Sequence, residues 1–263
     1  MAADSIQSPI DRLIGVFAPV AALKRAQARA RIMLAQRAYE GASKKDGWRV
    51  VRAGASANAD HLSDATELRN RARALRANVP NIKGGIDKKV ANLIGTGITA
   101  ESKAASAADR KALNDAWAIF IKECDADGRL DFGGMQTLIE ATRSTDGECL
   151  IRLRARRPQD GFLVPLQLQV LEIDWLDSNL NRLLPNNNAI INGIEYNGVG
   201  QEVNFWLWDR HPGDATLIRG ARVQAKPVPA SSIIHYFRPD RPGQGRGITD
   251  LAAVIATARD TQT

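Results

Sequence analysis

Cysteine and histidine are scarce in this chain and long apolar runs are missing, and each shortage removes a class of function. Two cysteines, Cys124 and Cys149, are too few for a disulfide scaffold and lack the paired spacing of a zinc site, so they read as reduced thiols of an intracellular protein. The histidines His61, His211 and His235 stand far apart, with neither HExxH nor a paired His-carboxylate spacing, and read as structural residues. No stretch approaches the roughly 20 apolar residues of a membrane span. The N-terminal apolar run is broken by Arg12, Pro19 and Lys24, and Asp4 and Asp11 stand where a signal peptide carries positive charge. There is no phosphate-cradling GxxxxGK(S/T) and no GxSxG elbow. Gly95-Thr96-Gly97 lacks the third glycine of a dinucleotide fingerprint and follows a helix where a strand is needed. Neither a cofactor nor a catalytic centre is expected.

What the chain does have is positive charge and a change of period halfway along. It carries 36 Lys+Arg against 29 Asp+Glu, a net charge of +7, which suits a polyanionic partner such as nucleic acid. Its 44% hydrophobic content allows a buried core, in one large domain or two modest ones. Four segments are expected: a basic helix and linker over 1–58, a helical part over 59–145, a β-rich part over 146–240, and a loop entering a helix over 241–263. In the second, Leu62, Ala65, Leu68, Ala72 and Leu75 make one apolar face of a helix capped by Asp60, with Arg69, Arg71, Arg73 and Arg76 elsewhere, and Pro80 interrupts before the next helix. A helix over 107–123 turns Leu113, Ala116, Trp117 and Phe120 inward, and another runs over 132–142. The period then falls to two. Runs 148–155 and 164–170 read as a hairpin, 190–196 and 201–208 flank a turn at Asn197–Gly200, and 232–237 is a further strand. Residues 248–259 begin an amphipathic helix. The class is α+β, a helical N-terminal half followed by a β-rich segment that ends at the start of a helix.

Candidate sites are few. Cys124-Asp-Ala-Asp-Gly-Arg-Leu-Asp-Phe132 imitates a calcium loop, with Glu123, Asp125 and Asp127 at its first, third and fifth positions and Gly128 at its sixth. Its twelfth position is Gly134 where a bidentate glutamate is required, so the stretch reads as an Asp turn with Asp131 capping the following helix. Asp146, Glu148, Glu172, Asp174 and Asp177 read as turn and surface groups rather than as an acid/base pair or metal cluster. Cys149, within an alternating strand, reads as a small buried side chain. The residues placed to meet phosphate are Arg25, Arg29 and Arg31 on the N-terminal helix and Arg238, Arg241 and Arg246 in the Gly/Pro-rich loop 238–247.

Several fragments, in order, carry a family likeness. Tyr39-Glu-Gly-Ala42, Leu68-Arg-Asn-Arg-Ala-Arg-Ala-Leu75 with Asn78 and Pro80, and Asn92-Leu-Ile-Gly-Thr-Gly-Ile98 open it. The stretch 124–132, Asp146-Gly-Glu148, Pro165-Leu-Gln-Leu-Gln-Val170 and Ile234-His-Tyr-Phe-Arg-Pro-Asp-Arg-Pro-Gly-Gln-Gly-Arg-Gly247 complete it. From about residue 36 onward the chain resembles the lambda-family portal proteins of tailed bacteriophages. The resemblance implies a structural ring of twelve subunits at one capsid vertex, with a portal wing-like fold and some clip elements within about 165–240. It implies a channel through which terminase drives double-stranded DNA in and through which DNA leaves, docked by head-completion, capsid and tail proteins. A virion location, with the host cytoplasm during assembly, follows from it. Family members continue past the helix at 248, so the likeness is to the N-terminal half, and the expectation is a truncated member without the tunnel-lining part. The alternative from the residues alone is a basic module that binds or processes double-stranded DNA as a monomer, gripping phosphates through the arginines named above.

Overall fold

The computed structural model describes residues 56–216 and 224–260, with Val20, Lys24 and Gly54 besides. The chain divides into two units, Met1–Ala53 and Gly54–Thr263, and every element below belongs to the second. Of the expected basic helix over 19–39 only Val20 and Lys24 are described, both as helix, and Arg25, Arg29 and Arg31 lie outside the described residues. So does most of the linker.

Helix α1 (Ala57–Asn78) is capped by Ser56, whose hydroxyl accepts from the Ala59 N–H at 3.2 Å. Asp60, the cap expected from sequence, instead sits in the first turn and pairs with Arg241 at 2.8 Å. Pro80 occupies the first turn of helix α2 (Pro80–Ile94), separated from the end of α1 by Val79 alone, where its missing N–H costs nothing. Helix α3 (Ala107–Glu123) starts at a Ser106 cap, and helix α4 (Phe132–Asp146) starts at an Asp131 cap that accepts from the Gly134 N–H at 2.7 Å. Ala65, Ala72 and Leu75 of α1 are buried as their spacing requires, and Ala72 and Leu75 pack with Ile86 and Val90 of α2, Ala141 of α4, and Leu251 and Ile255 near the end of the chain. On α3 only the second half is held, by Phe120 with Trp117 beside it, against Cys124 and Met135. Leu113, expected inside, is 55% exposed.

The strands are β1 (Glu148–Ala155), β2 (Leu166–Leu171), β3 (Arg182–Leu183), β4 (Ala189–Ile191), β5 (Ile194–Tyr196), β6 (Glu202–Trp208), β7 (Ala225–Pro229) and β8 (Ile233–Phe237). They form two antiparallel sheets, β2-β1-β8 and β3-β4-β5-β6-β7. In the first, Leu150 of the central strand faces Leu171 on one side and His235 on the other. The run 190–196, read from sequence as one strand, is two. Asn192 and Gly193 both take positive φ (52° and 84°) and turn β4 back onto β5. Any side chain at 193 would meet the Asp177 carbonyl oxygen at 2.6 Å, which fixes glycine there. Leu150, Leu171, Ile173, Leu176, Ile194, Phe205, Leu207, Val228 and Ile233 close the space between the sheets.

Near the end, the expected helix over 248–259 is shorter. Residues 250–254 are turns, tied by bonds such as Val254 N–H to Leu251 C=O, and only Ile255–Asp260, α5, is helical. Among the described residues no helix is long and apolar enough to cross a membrane. The order, helices first and sheets after, is the α+β arrangement that the change of period predicts.

Candidate functional site

Glu148 is the point on which distant parts of the chain converge. Helix α4 ends on Gly147 in the left-handed region (φ 95°), and the backbone enters β1 at once, so the first side chain of the central strand faces inward. Its carboxylate has no solvent exposure. Arg246 donates to it through Nε (3.0 and 2.9 Å to Oε1 and Oε2) and Nη2 (2.8 Å to Oε1). The Gly247 N–H donates at 2.9 Å and His235 Nε2 lies at 2.8 Å. His61 Nε2 stands 3.6 Å from Oε1 and 3.0 Å from the Gly247 carbonyl oxygen. Arg246 spends its remaining Nη1 on the Asn192 carbonyl at 2.8 Å, in the β4–β5 turn, and on the Ser178 hydroxyl. One carboxylate therefore joins α1, the first sheet and the closing loop, and Arg246 extends the tie to the second sheet. Burial alone pushes the Glu148 carboxyl up, but Arg246, His235 and His61 outweigh it and hold it well below the usual carboxylate range. A group so enclosed, with its oxygens already saturated, is a structural tie rather than an acid or base for substrate.

Two further networks surround it. Arg73 donates through Nε to Asp146 at 2.9 Å and reaches Asp174 at 2.7 Å, while Arg69 donates to Asp174 at 2.9 Å. Arg143 pairs with Glu140 and Asp250 (2.7 and 2.9 Å), Lys89 reaches Asp250 at 2.6 Å, and the Tyr236 hydroxyl donates to Glu140 at 3.0 Å. Burial raises the Glu140 carboxyl, but Arg143, Ser144 and Tyr236 hold it at about 2. Cys149, buried beside Asp146, Glu148 and Glu140, has its thiol pushed up to about 12, first by burial and then by those charges, so it is unreactive.

These networks correct the sequence reading of the carboxylates. Asp146 and Glu148 are buried pairing groups, not surface turn residues, and Arg69 is buried too. Sequence alternation puts Glu148 on the Leu150 face, but nothing local shows that His61, His235 and Arg246 meet it there. Glu172, Asp174 and His211 place one ligand atom each within 4.8 Å of one another, the one group of metal-ligating type among the described residues. Asp174 is already neutralised by Arg69 and Arg73, and a cation there would have to displace them.

Of the residues expected to meet phosphate, Arg238 is exposed beside Asp240 at 3.5 Å, and Arg241 is exposed and tied to Asp60. Arg246 is a correction. It is 1% exposed and turned inward to Glu148, so its guanidinium has no surface to offer. In the calcium-like stretch, Asp125 accepts from the N–H groups of Asp127, Arg129 and Leu130 at 3.0, 2.9 and 2.9 Å, the turn chemistry its sequence predicts.

The fragments Asp146-Gly-Glu148 and Gln244-Gly-Arg-Gly247, far apart in sequence, are thus halves of one packed junction. The chain matches the family described as phage portal protein, lambda family, over residues 42–263. It is 34% identical over 205 residues to a probable portal protein of Halomonas phage phiHAP-1, an alignment covering 73% of this chain and 38% of that relative, so the chain spans well under half of the relative's length. With most of its length matched, the chain belongs to the lambda family of phage portal proteins.

Proposed function

We propose that this chain is a structural subunit of a homo-oligomeric ring of twelve at the capsid vertex, forming the channel for DNA packaging and ejection and the platform for the head-to-tail connection. The observation that carries this reading is the family match across residues 42–263. The buried ties support it, because they spend Arg69, Glu140, Arg143, Asp146, Glu148 and Arg246 on holding helices, sheets and closing loop together and leave these groups enclosed. A ring subunit transmits load and needs rigid joints. Duplex DNA, terminase, head-completion proteins and capsid proteins are the partners, assembly takes place in the host cytoplasm, and no chemistry is performed by the subunit itself.

Negative-stain microscopy of the purified chain, alone and mixed with the other head proteins, tests the reading. Rings are expected. A species that stays monomeric in both conditions, and binds free duplex tightly as a monomer, would replace it with the DNA-binding module.

A further inference from the structure

Arg152 and Arg154 occupy alternate positions of β1, and Arg156 follows one residue past its end, where its N–H still bonds across to the Pro165 carbonyl. Alternate residues share a face, so three guanidiniums line one side of the ladder over about 13 Å. All three are half-buried. Their cross-strand neighbours are amides: Arg152 faces Gln169 and Arg154 faces Gln167. Arg154 Nη1 donates to Gln169 Oε1 at 3.0 Å and Arg156 Nε to Gln167 Oε1 at 2.8 Å. Gln167 is itself clamped, its amide nitrogen donating to the carbonyls of Glu123 and Asp125 at 2.7 and 3.0 Å, which leaves its oxygen turned to the arginine.

Among the described residues none of these three arginines lies within 4 Å of a carboxylate, although Arg156 acts at longer range on Asp160. Elsewhere the same chain matches partly or fully buried arginines with carboxylates: Arg69 and Arg73 with Asp174, Arg143 with Glu140, Arg246 with Glu148. Like charges set side by side on a strand destabilise it, and a neutral amide orients a guanidinium without discharging it. Burial and the neighbouring Arg154 together push the Arg152 guanidinium down from its ordinary value. The apolar half of this face, Leu150, Leu171 and Ile233, is already covered by the second sheet. What remains bare is polar and basic, unlike the charge-depleted core of a protein interface and like a surface that meets phosphate.

We propose that Arg152, Arg154 and Arg156 form a phosphate-tracking stripe that lies along the backbone of double-stranded DNA. The proposal rests on the portal reading, which brings duplex DNA to the molecule. Guanidinium forks fit phosphate oxygens, and contacts confined to the backbone carry no base information, so DNA stays free to slide.

The test uses the full chain and a short mixed-sequence duplex, with affinity measured across a salt series. The wild type is expected to bind with a steep salt dependence. R152Q/R154Q/R156Q is expected to lower the slope of log K against log salt by roughly 2 to 3, at about 0.9 for each phosphate no longer neutralised. R152K/R154K/R156K is expected to keep the slope, and it and single R154Q stand in should the triple glutamine variant fail to fold. An unchanged slope in the glutamine variants, or no binding by the wild type, overturns the stripe. So does competition by polyglutamate as effective, charge for charge, as by DNA, which would assign the face to an acidic protein surface. Microscopy of the same preparations separates the two readings. Rings with an unaltered DNA slope sink the stripe alone, whereas absence of rings from the wild type, alone and with the other head proteins, sinks the portal reading.

Discussion

Arg246 and Glu148, 98 residues apart in sequence, form a two-pronged ion pair sealed from solvent. The pair fastens the closing loop to the start of the central strand. Glu148→Gln leaves Arg246 buried without its counter-charge, and a loss of about 3–5 kcal/mol in urea unfolding is expected. Replacing both members with apolar residues, Glu148→Leu with Arg246→Met, is expected to cost less than either single change. If the double variant costs as much as the two single changes added together, the pair does not act as a coupled unit.

The backbone crosses itself just beside that pair. A Cβ on residue 247 would stand 2.3 Å from the Gly147 carbonyl oxygen, and one on residue 147 would stand 2.4 Å from the Ile248 carbonyl carbon. Both neighbours are main chain and cannot swing aside. Gly247→Ala is therefore expected to destabilise by more than about 3 kcal/mol or to abolish soluble expression, through overpacking at a rigid crossing. Gly128→Ala is the control: its φ is positive (67°), unlike that of Gly247, but nothing lies within 4 Å, so only the roughly 1 kcal/mol of left-handed strain applies. Equal losses at the two positions would mean that the crossing is not tight.

How much of the molecule is legible in its sequence follows the range of the interactions. Helices α1 to α4 and the β1–β2 hairpin are set by period, caps and prolines within a few residues, and they stand where the sequence places them. The β4–β5 turn carries its own signal in Asn192-Gly193, but strands of three residues on either side are too short to show a period of their own, so 190–196 reads as one strand. Leu113 is exposed because α3 packs by its second half alone, and helix periodicity does not reveal which turns meet a neighbour. The Glu148 junction is least visible, since its members come from α1, β1, β8 and the closing loop. Only the place of Asp146-Gly-Glu148 and Gly245-Arg-Gly247 among the fragments that carry the resemblance points to them, and without saying that they touch.

Acid should loosen the molecule in a defined window. Glu140 is held at about 2 and Glu148 well below its ordinary value, both depressed from 4.5. Depressed carboxyls contribute stability that is fully present above the unfolded value and is lost as pH falls toward the folded one. Asp146, raised by burial against the pull of Arg73, has the opposite sign and blunts the effect. Stability is expected to hold steady down to about pH 5, then fall between about pH 4.5 and 2 by up to about 1.4 kcal/mol per pH unit for each depressed group. Urea midpoints across that range measure it, and Glu140→Gln should remove about one proton's worth of slope. A slope unchanged by that substitution would show that Glu140 titrates normally.

The calcium-like stretch yields an opposite pair of expectations for metal and mutation. Asp125 is 7% exposed, and both of its carboxylate oxygens already accept backbone N–H groups, from Asp127, Arg129 and Leu130. Those bonds hold the carboxyl below its ordinary value although burial acts to raise it. Asp131 is engaged as well, capping α4 through the Gly134 N–H, and residue 134 supplies no carboxylate of its own. A cation would have to break these bonds to gain ligands and would still lack the bidentate oxygen pair that closes a calcium loop. Millimolar calcium is therefore expected to leave the melting temperature unchanged. Asp125→Ala, which strands three turn N–H groups, is expected to cost about 2–3 kcal/mol. A calcium-dependent rise in melting temperature that disappears in Asp125→Ala would reverse the assignment and make the turn a metal site.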